Sequence, residues 1–466
     1  SIVNETLRAT DGDLRLVAAA ESGDAEVRVA GSDLEATGSL SIVTRAIEED
    51  ATIAIRESLL EAEGDARLAA IGGEWATIDL VTPESADRAA QIRAGGDVSL
   101  KARAEGAAAI SLHTDDAAGD AGVTEIQAGG DVLLKAAGET AGEIVVYGSN
   151  VTAQGGKLTV QASSLGGDSH VGIGGGSALS AQEDVTIRSR AAGSGWSSAA
   201  ITSSTVESLA GSVKIGATGG SVLVRVLHGE VTAADALSLS GRASEQGATI
   251  EVANALLEAT AGDVRMSALG NEFSLVVIET AGDQESVATV SAGDDVSVKA
   301  WAEGDATIGL LDAQVSAGGD LVVKVAGGPS AAALVESSVL SSGGDMRISA
   351  LARREAEGIL ALAGEPGDET GDEPGDESGD EVGDAAVWPV LNARVAITGS
   401  TLDAQGDLSV RAVSKKESAL AGILNSGITA GEAISVDAWA RRGTAVTGIV
   451  DAQVEALLSG ASVGAA

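Results

Sequence analysis

The chain has 466 residues, no cysteine and a formal net charge of −40, from 69 acids against 29 lysines and arginines. Disulfides, thiolate metal sites and cysteine nucleophiles are excluded, and the charge opposes binding to nucleic acid or insertion at an anionic membrane. Aromatics at 2% and 62 glycines exclude a large globular core built on Phe, Tyr and Trp, and no apolar run is long enough for a membrane-spanning helix.

Residues 1–9 read as the end of a coil already in progress, and the first complete repeat opens at Asp13. From there a turn residue followed by apolar-x-apolar recurs along the chain, as in Asp97-Val98-Ser99-Leu100, Asp131-Val132-Leu133-Leu134 and Asp320-Leu321-Val322-Val323. The anchor falls at Asp13, Ser39, Asp65, Asp97, Asp131, Lys157, Asp184, Ser212, Ala236, Asp263, Asp295, Asp320, Asp345, Asp407 and Ala433. Most steps are 24 to 28 residues, three are 32 to 34 and one is 62. A fixed period of this size is the mark of stacked repeats, each too thin to bury a core alone.

Within a repeat the apolar positions alternate, which is the period of a strand. After each anchor, positions such as Val98, Leu100 and Ala102 are apolar, with polar residues between them. A second alternating run follows (Ala51, Ile53, Ile55; Ala306, Ile308, Leu310), then a third (Val151, Ala153; Val315, Ala317). Helix is disfavoured by the period and by glycine every few residues. The expected fold is all-β: a right-handed, three-sided parallel β-helix of about 26 residues per coil and roughly 16 coils, a rod on the order of 80 Å long.

The long steps locate insertions at 82–88, 114–122 and 279–286, each between second and third strands and each acidic. The 62-residue step carries a longer excursion at 353–391, between a first and a second strand, whose Gly-Asp-Glu-x run is too acidic and too poor in apolar residues to fold on its own. The expected organisation is therefore coils over 1–352, the acidic insertion over 353–391, and coils again over 392–466 to an end without a capping element. Open coil ends expose unpaired backbone, so both ends are expected to meet another coil, from a longer chain or from a second copy stacked head to tail.

Three sets of residues are candidates for contact. The outward slots of the first strand are basic, among them Lys101, Lys135, Arg188, Lys299, Lys324 and Arg411, with Arg45, Arg103, Arg190 and Arg242 at the following corner slot. On so acidic a chain, such a row suits docking of an anionic polysaccharide or an acidic neighbouring rod, although a solvated face is the plainer reading. Trp301 and Trp439 share that corner slot, where an exposed ring stacks on a sugar or anchors an interface. Asp368, Glu369, Asp372, Glu373, Asp376 and Glu377 of the acidic run offer oxygens that hard cations favour, but without the ligand pattern of an EF-hand loop, so weak and non-specific Ca²⁺ binding is the most they imply. No cofactor is expected. His113, His170 and His228 lie on different coils at no spacing that suggests a metal site or a triad, and catalysis is not expected.

The phrases Ala94-Gly95-Gly96-Asp97-Val98-Ser99-Leu100-Lys101-Ala102 and Ala317-Gly318-Gly319-Asp320-Leu321-Val322-Val323-Lys324 resemble the repeats of filamentous haemagglutinin-like exoproteins, bacterial β-helical adhesins exported by two-partner secretion. The repeat here is longer than that family's usual coil. The resemblance implies a bacterial surface or extracellular location and an adhesive or matrix role. The expected function is a non-catalytic extracellular fibre built by end-to-end stacking, with adhesion through its faces. A monomeric glycan-binding stalk is the alternative, and a polysaccharide lyase or hydrolase is less favoured.

Overall fold

The computed structural model of the chain describes residues 1–84, 86–115, 122–282, 286–353, 392–415, 418–441, 444–450 and 453–456. Its strands are parallel and sort into three sheets: a first sheet of 15 strands, which contains every strand that follows an anchor, and second and third sheets of 16 strands each. Every sheet neighbour is the strand one coil away, so the chain winds through first, second and third sheets in turn. This is the expected three-sided β-solenoid. From the first to the last strand of a sixteen-stranded sheet the axis is about 70 Å long.

Register explains why so few residue types suffice. Ile53, Ile78, Ile110, Ile144 and Val171 stack directly on one another in the second sheet, and Leu68, Leu100 and Leu134 do so in the first. Branched aliphatic chains fill the middle of each coil, and alanine fills the corners, as at Ala94, Ala128 and Ala153. Leu100, Leu134 and Ile110 are all but fully buried, and each such side chain contributes about 2 kcal/mol. The pattern extends as one continuous core through the described coils.

The insertions fall at the corner between the second and third sheets. Strand Trp75–Thr82 is followed by Gln91–Ala94, Ala107–Thr114 by Thr124–Ala128, and Phe273–Glu279 by Thr289–Ala292. The first insertion is tied down by Arg88, whose guanidinium donates to Glu57 O and to Asp33 Oδ1, both at 2.5 Å. The 62-residue step leaves strand Met346–Ala352 and returns at Ala393–Thr398, whose neighbours pair as though nothing intervened: Ala350 with Ala412, and Ala333 with Val395. Asp368, Glu369, Asp372, Glu373, Asp376 and Glu377 lie outside the described residues, as does Trp388.

Candidate binding edge

The recurring anchor aspartates are turn residues. The Ser39 N–H donates to Asp13 Oδ1 at 2.7 Å, Asp131 N–H to Asp97 Oδ1 at 2.8 Å, and Asp320 N–H to Asp295 Oδ1 at 2.7 Å. The same bond recurs from Asp65, Asp131, Asp184, Asp263, Asp320, Asp345 and Asp407 to the next anchor amide. Each carboxylate thus answers the coil after it, which offsets the repulsion of a stacked acid column. The amides of Ser212 and Asp407, ahead of any other cause, hold the carboxyls of Asp184 and Asp345 below the usual carboxylate range. The glycine before most anchors has a matching reason: a Cβ on Gly130 would lie 2.2 Å from Asp97 Oδ1, and Gly38, Gly96, Gly156, Gly319, Gly344 and Gly406 meet the previous anchor's carboxylate in the same way. The Gly-Asp phrase is therefore a close backbone approach, repeated.

With the anchors assigned to turns, the first sheet supplies the unusual charge. Its central outward column runs Lys101, Lys135, Gln161, Arg188 in adjacent strands, and later Lys299, Lys324, Ser349, Arg411. Lys101 sits directly beside Lys135, and Lys299 beside Lys324. Like charges side by side on a sheet are destabilising. The outward positions of this sheet hold about half of the chain's 29 lysines and arginines and a single acid, Asp437. Arg265 and Arg347 pair with the anchor carboxylates Asp263 and Asp345. Lys101, Lys135, Arg188, Lys299, Lys324 and Arg411 form no ion pair among the described residues.

At the corner between the first and second sheets the basic face meets exposed aliphatic side chains and a row of exposed turn acids, among them Glu74, Glu105, Glu139, Glu245, Glu272 and Glu303. A groove of about 730 Å³ runs across several coils there, lined by Arg45, Lys101, Arg103 and Lys135, by Ile47, Ile71 and Leu165, and by the acids Glu105 and Glu139, with Ile71 between Arg45 and Arg103 in one column. Those three aliphatic side chains are all substantially exposed, Leu165 at 70%. Trp301 and Trp439 occupy the first-sheet side of this corner, and Trp75, Trp196 and Phe273 open second-sheet strands on its other side. All of the described aromatics except Tyr147 therefore border one edge of the rod. The sequence places Trp301 and Trp439 at the corner slot and Trp75 and Trp196 at the start of second strands, as found; the register adds Phe273.

The second sheet also brings together side chains that are far apart in sequence. His113 stacks on Tyr147 with ring centroids 5.3 Å apart, and its Nε2 is 2.7 Å from Asp115 Oδ1. His170 stacks on Trp196 at 6.3 Å and lies beside Glu143 in the sheet, with Nδ1 2.5 Å from Ser198 Oγ. Burial lowers the His170 pKa, and Glu143 opposes that shift. His113 and His170 thus share one face of the second sheet, two coils apart and in different columns. His228, by contrast, is a corner residue with a positive φ of 51°, like Glu57, Asn254 and Asp312 in the same slot of other coils. Among the described residues, Asp263, Asp294 and Asp295 bring carboxylate oxygens within 4.8 Å of one another. Asp263 already accepts the Asp295 amide at 3.1 Å and pairs with Arg265. That cluster is accounted for as a turn.

Comparison with protein-family models, with curated proteins and with solved structures returns no match to this chain.

Proposed function

We propose that this chain is a non-catalytic structural element of an extracellular or cell-surface fibre, extended by stacking of coils and adhesive through its lateral faces. The observation that carries this reading is the uninterrupted three-sheet ladder, in which every interior coil is hydrogen-bonded to two others and, among the described residues, no other layer covers the sheets. Such a rod resists bending, and nearest-neighbour contacts set its stability. At the outermost described coils the core is only half covered: Leu7, Leu14 and Leu16 at one end and Ile434 and Val436 at the other pack against the core but remain partly exposed. A further coil stacked there, from a second copy or from the same polypeptide, would bury them. The net charge of −40 and the absence of cysteine suit a saline exterior, and the repeat phrases resemble those of secreted bacterial adhesins.

Sedimentation velocity of the purified chain tests the stacking. The reading expects a sedimentation coefficient that rises with concentration, and a Leu16→Glu, Val436→Glu variant that stays at the single-rod value. A wild-type coefficient that holds constant over a hundredfold concentration range contradicts it.

An adhesive stalk is the second reading, and the central basic column of the first sheet, whose Lys101, Lys135, Arg188, Lys299, Lys324 and Arg411 form no ion pair among the described residues, favours it. It requires a lateral ligand and no end-to-end contact.

A further inference from the structure

The charges of this rod are stacked like on like. The Asp295 N–H donates to Asp263 Oδ1, that of Asp320 to Asp295, that of Asp345 to Asp320 and that of Asp407 to Asp345. Five carboxylates therefore stand in one row on successive coils, about 4.8 Å apart. Asp65, Asp97 and Asp131 form a second such run. An amide holds a carboxylate in place without neutralising it. Asp263 and Asp345 also pair with arginines, whereas Asp295, Asp320 and Asp407 form no ion pair among the described residues. The cations repeat the pattern, with Lys101 beside Lys135 and Lys299 beside Lys324. The cause is the repeat itself: coils in register bring the same slot, and so the same charge, into line. Leaving aside the insertion at 353–391, which carries twelve acids and two arginines, the chain keeps a net charge of about −30. Along an axis of about 70 Å that is roughly one net charge per 2.4 Å, the order of duplex DNA's one per 1.7 Å.

We propose that these rows make the fold an ionic-strength switch: salt holds the stacked coils together, and dilution of salt loosens them. Folded and unfolded chains differ in the required sense. In the unfolded chain, charges one repeat of about 26 residues apart are separated by roughly 25–30 Å, well beyond the Debye length of about 10 Å at 0.1 M salt. Folding brings the same charges to about 4.8 Å, inside that length. Between about 0.1 M and 1 M the Debye length falls from about 10 Å to about 3 Å and so crosses the coil spacing. Screening therefore relieves the folded rod and hardly touches the unfolded chain. Attraction between an acid row and the lysine column opposes the effect, but Lys101 and Lys324 stand four residues along the strand from Asp97 and Asp320, about 13 Å at the backbone. The repulsion within each row acts over the shorter distance and prevails. The proposal concerns the single rod and requires neither end-to-end stacking nor a lateral ligand.

Urea denaturation of the full chain at neutral pH, followed by circular dichroism in NaCl from about 0.02 M to about 1 M, tests it. The midpoint is expected to rise by about 1 M urea across that range, and to rise equally in choline chloride, since screening does not depend on which cation supplies it. Asp295→Asn combined with Asp320→Asn keeps a side-chain oxygen for each amide and removes two charges from the middle of a row. That variant should match the wild type in about 1 M salt, exceed its midpoint in about 0.02 M and show a shallower salt dependence. A purely structural role for the two carboxylates would instead lower the midpoint at every salt concentration. A wild-type midpoint that stays flat or falls as salt is added would overturn the proposal. So would a rise in NaCl without one in choline chloride, or an asparagine variant less stable than wild type in dilute salt. The fibre reading is tested separately, by sedimentation at one fixed salt concentration.

Discussion

At the scale of single residues, the Gly-Asp phrase links sequence to stability through one short contact. Asp97 Oδ1 accepts the Asp131 amide at 2.8 Å, and it occupies the space that a Gly130 Cβ would need. Asp97→Ala should cost about 1 kcal/mol, since the freed amide lies at an exposed turn where water can replace the carboxylate. Gly130→Ala should cost about 1–3 kcal/mol in the wild type and clearly less in the Asp97→Ala background, where the obstructing oxygen is gone. Urea denaturation of the two single variants and the double variant measures the coupling; strictly additive costs would contradict the account. Two of these anchor carboxylates contribute to acid sensitivity. Asp184 and Asp345 bind fewer protons in the folded chain than in the unfolded one, because backbone amides hold their pKa values down. Their stabilisation is complete above about pH 4 and lost as pH falls through the lowered folded values. His170 acts in the same direction at higher pH: its pKa is lowered by burial, so protonation of the unfolded chain below about pH 6.5 favours unfolding. Thermal melts should therefore decline in two steps on acidification, and His170→Gln should remove the upper one.

At the scale of strands, alternation alone sorted inward from outward positions, and the structure keeps that assignment. Val98, Leu100 and Ala102 point inward and Lys101 outward because the pleat has a period of two. The three sheets and the corner of each insertion were legible for the same reason: insertions lengthen a repeat without disturbing the phase on either side. Neighbours across coils were harder to read. The 32- and 34-residue steps shift the numbering, so His113, Tyr147, His170 and Trp196 share a face that no fixed sequence spacing marks. The column Lys101–Lys135 shows what such alignment costs. Lys135→Glu would place an acid directly beside Lys101 and should stabilise the chain by about 0.2–1 kcal/mol. Urea denaturation of that variant measures the effect; a destabilised variant would contradict the repulsion argued for the column. Leu100→Ala, in the stacked leucine row behind those lysines, should cost about 2–5 kcal/mol in the same denaturation assay.

At the scale of the whole molecule, the rod follows from a core too thin to close on itself. Each coil offers its sheet edges and its stacked side chains to the next, and the outermost described coils still offer theirs. The sequence announced this through its 26-residue period, and it announced the basic face through the outward slots. It also placed Trp75 and Trp196 at the start of second strands and Trp301 and Trp439 late in first strands, without showing that both positions flank the same corner. The corner between these positions becomes one line only when the coils are stacked. Negative-stain microscopy of the purified chain over a range of concentrations tests the central claim most directly. The account predicts straight fibres of uniform width, growing in length with concentration from units of about 70 Å. Isolated rods of that one length at every concentration would contradict it.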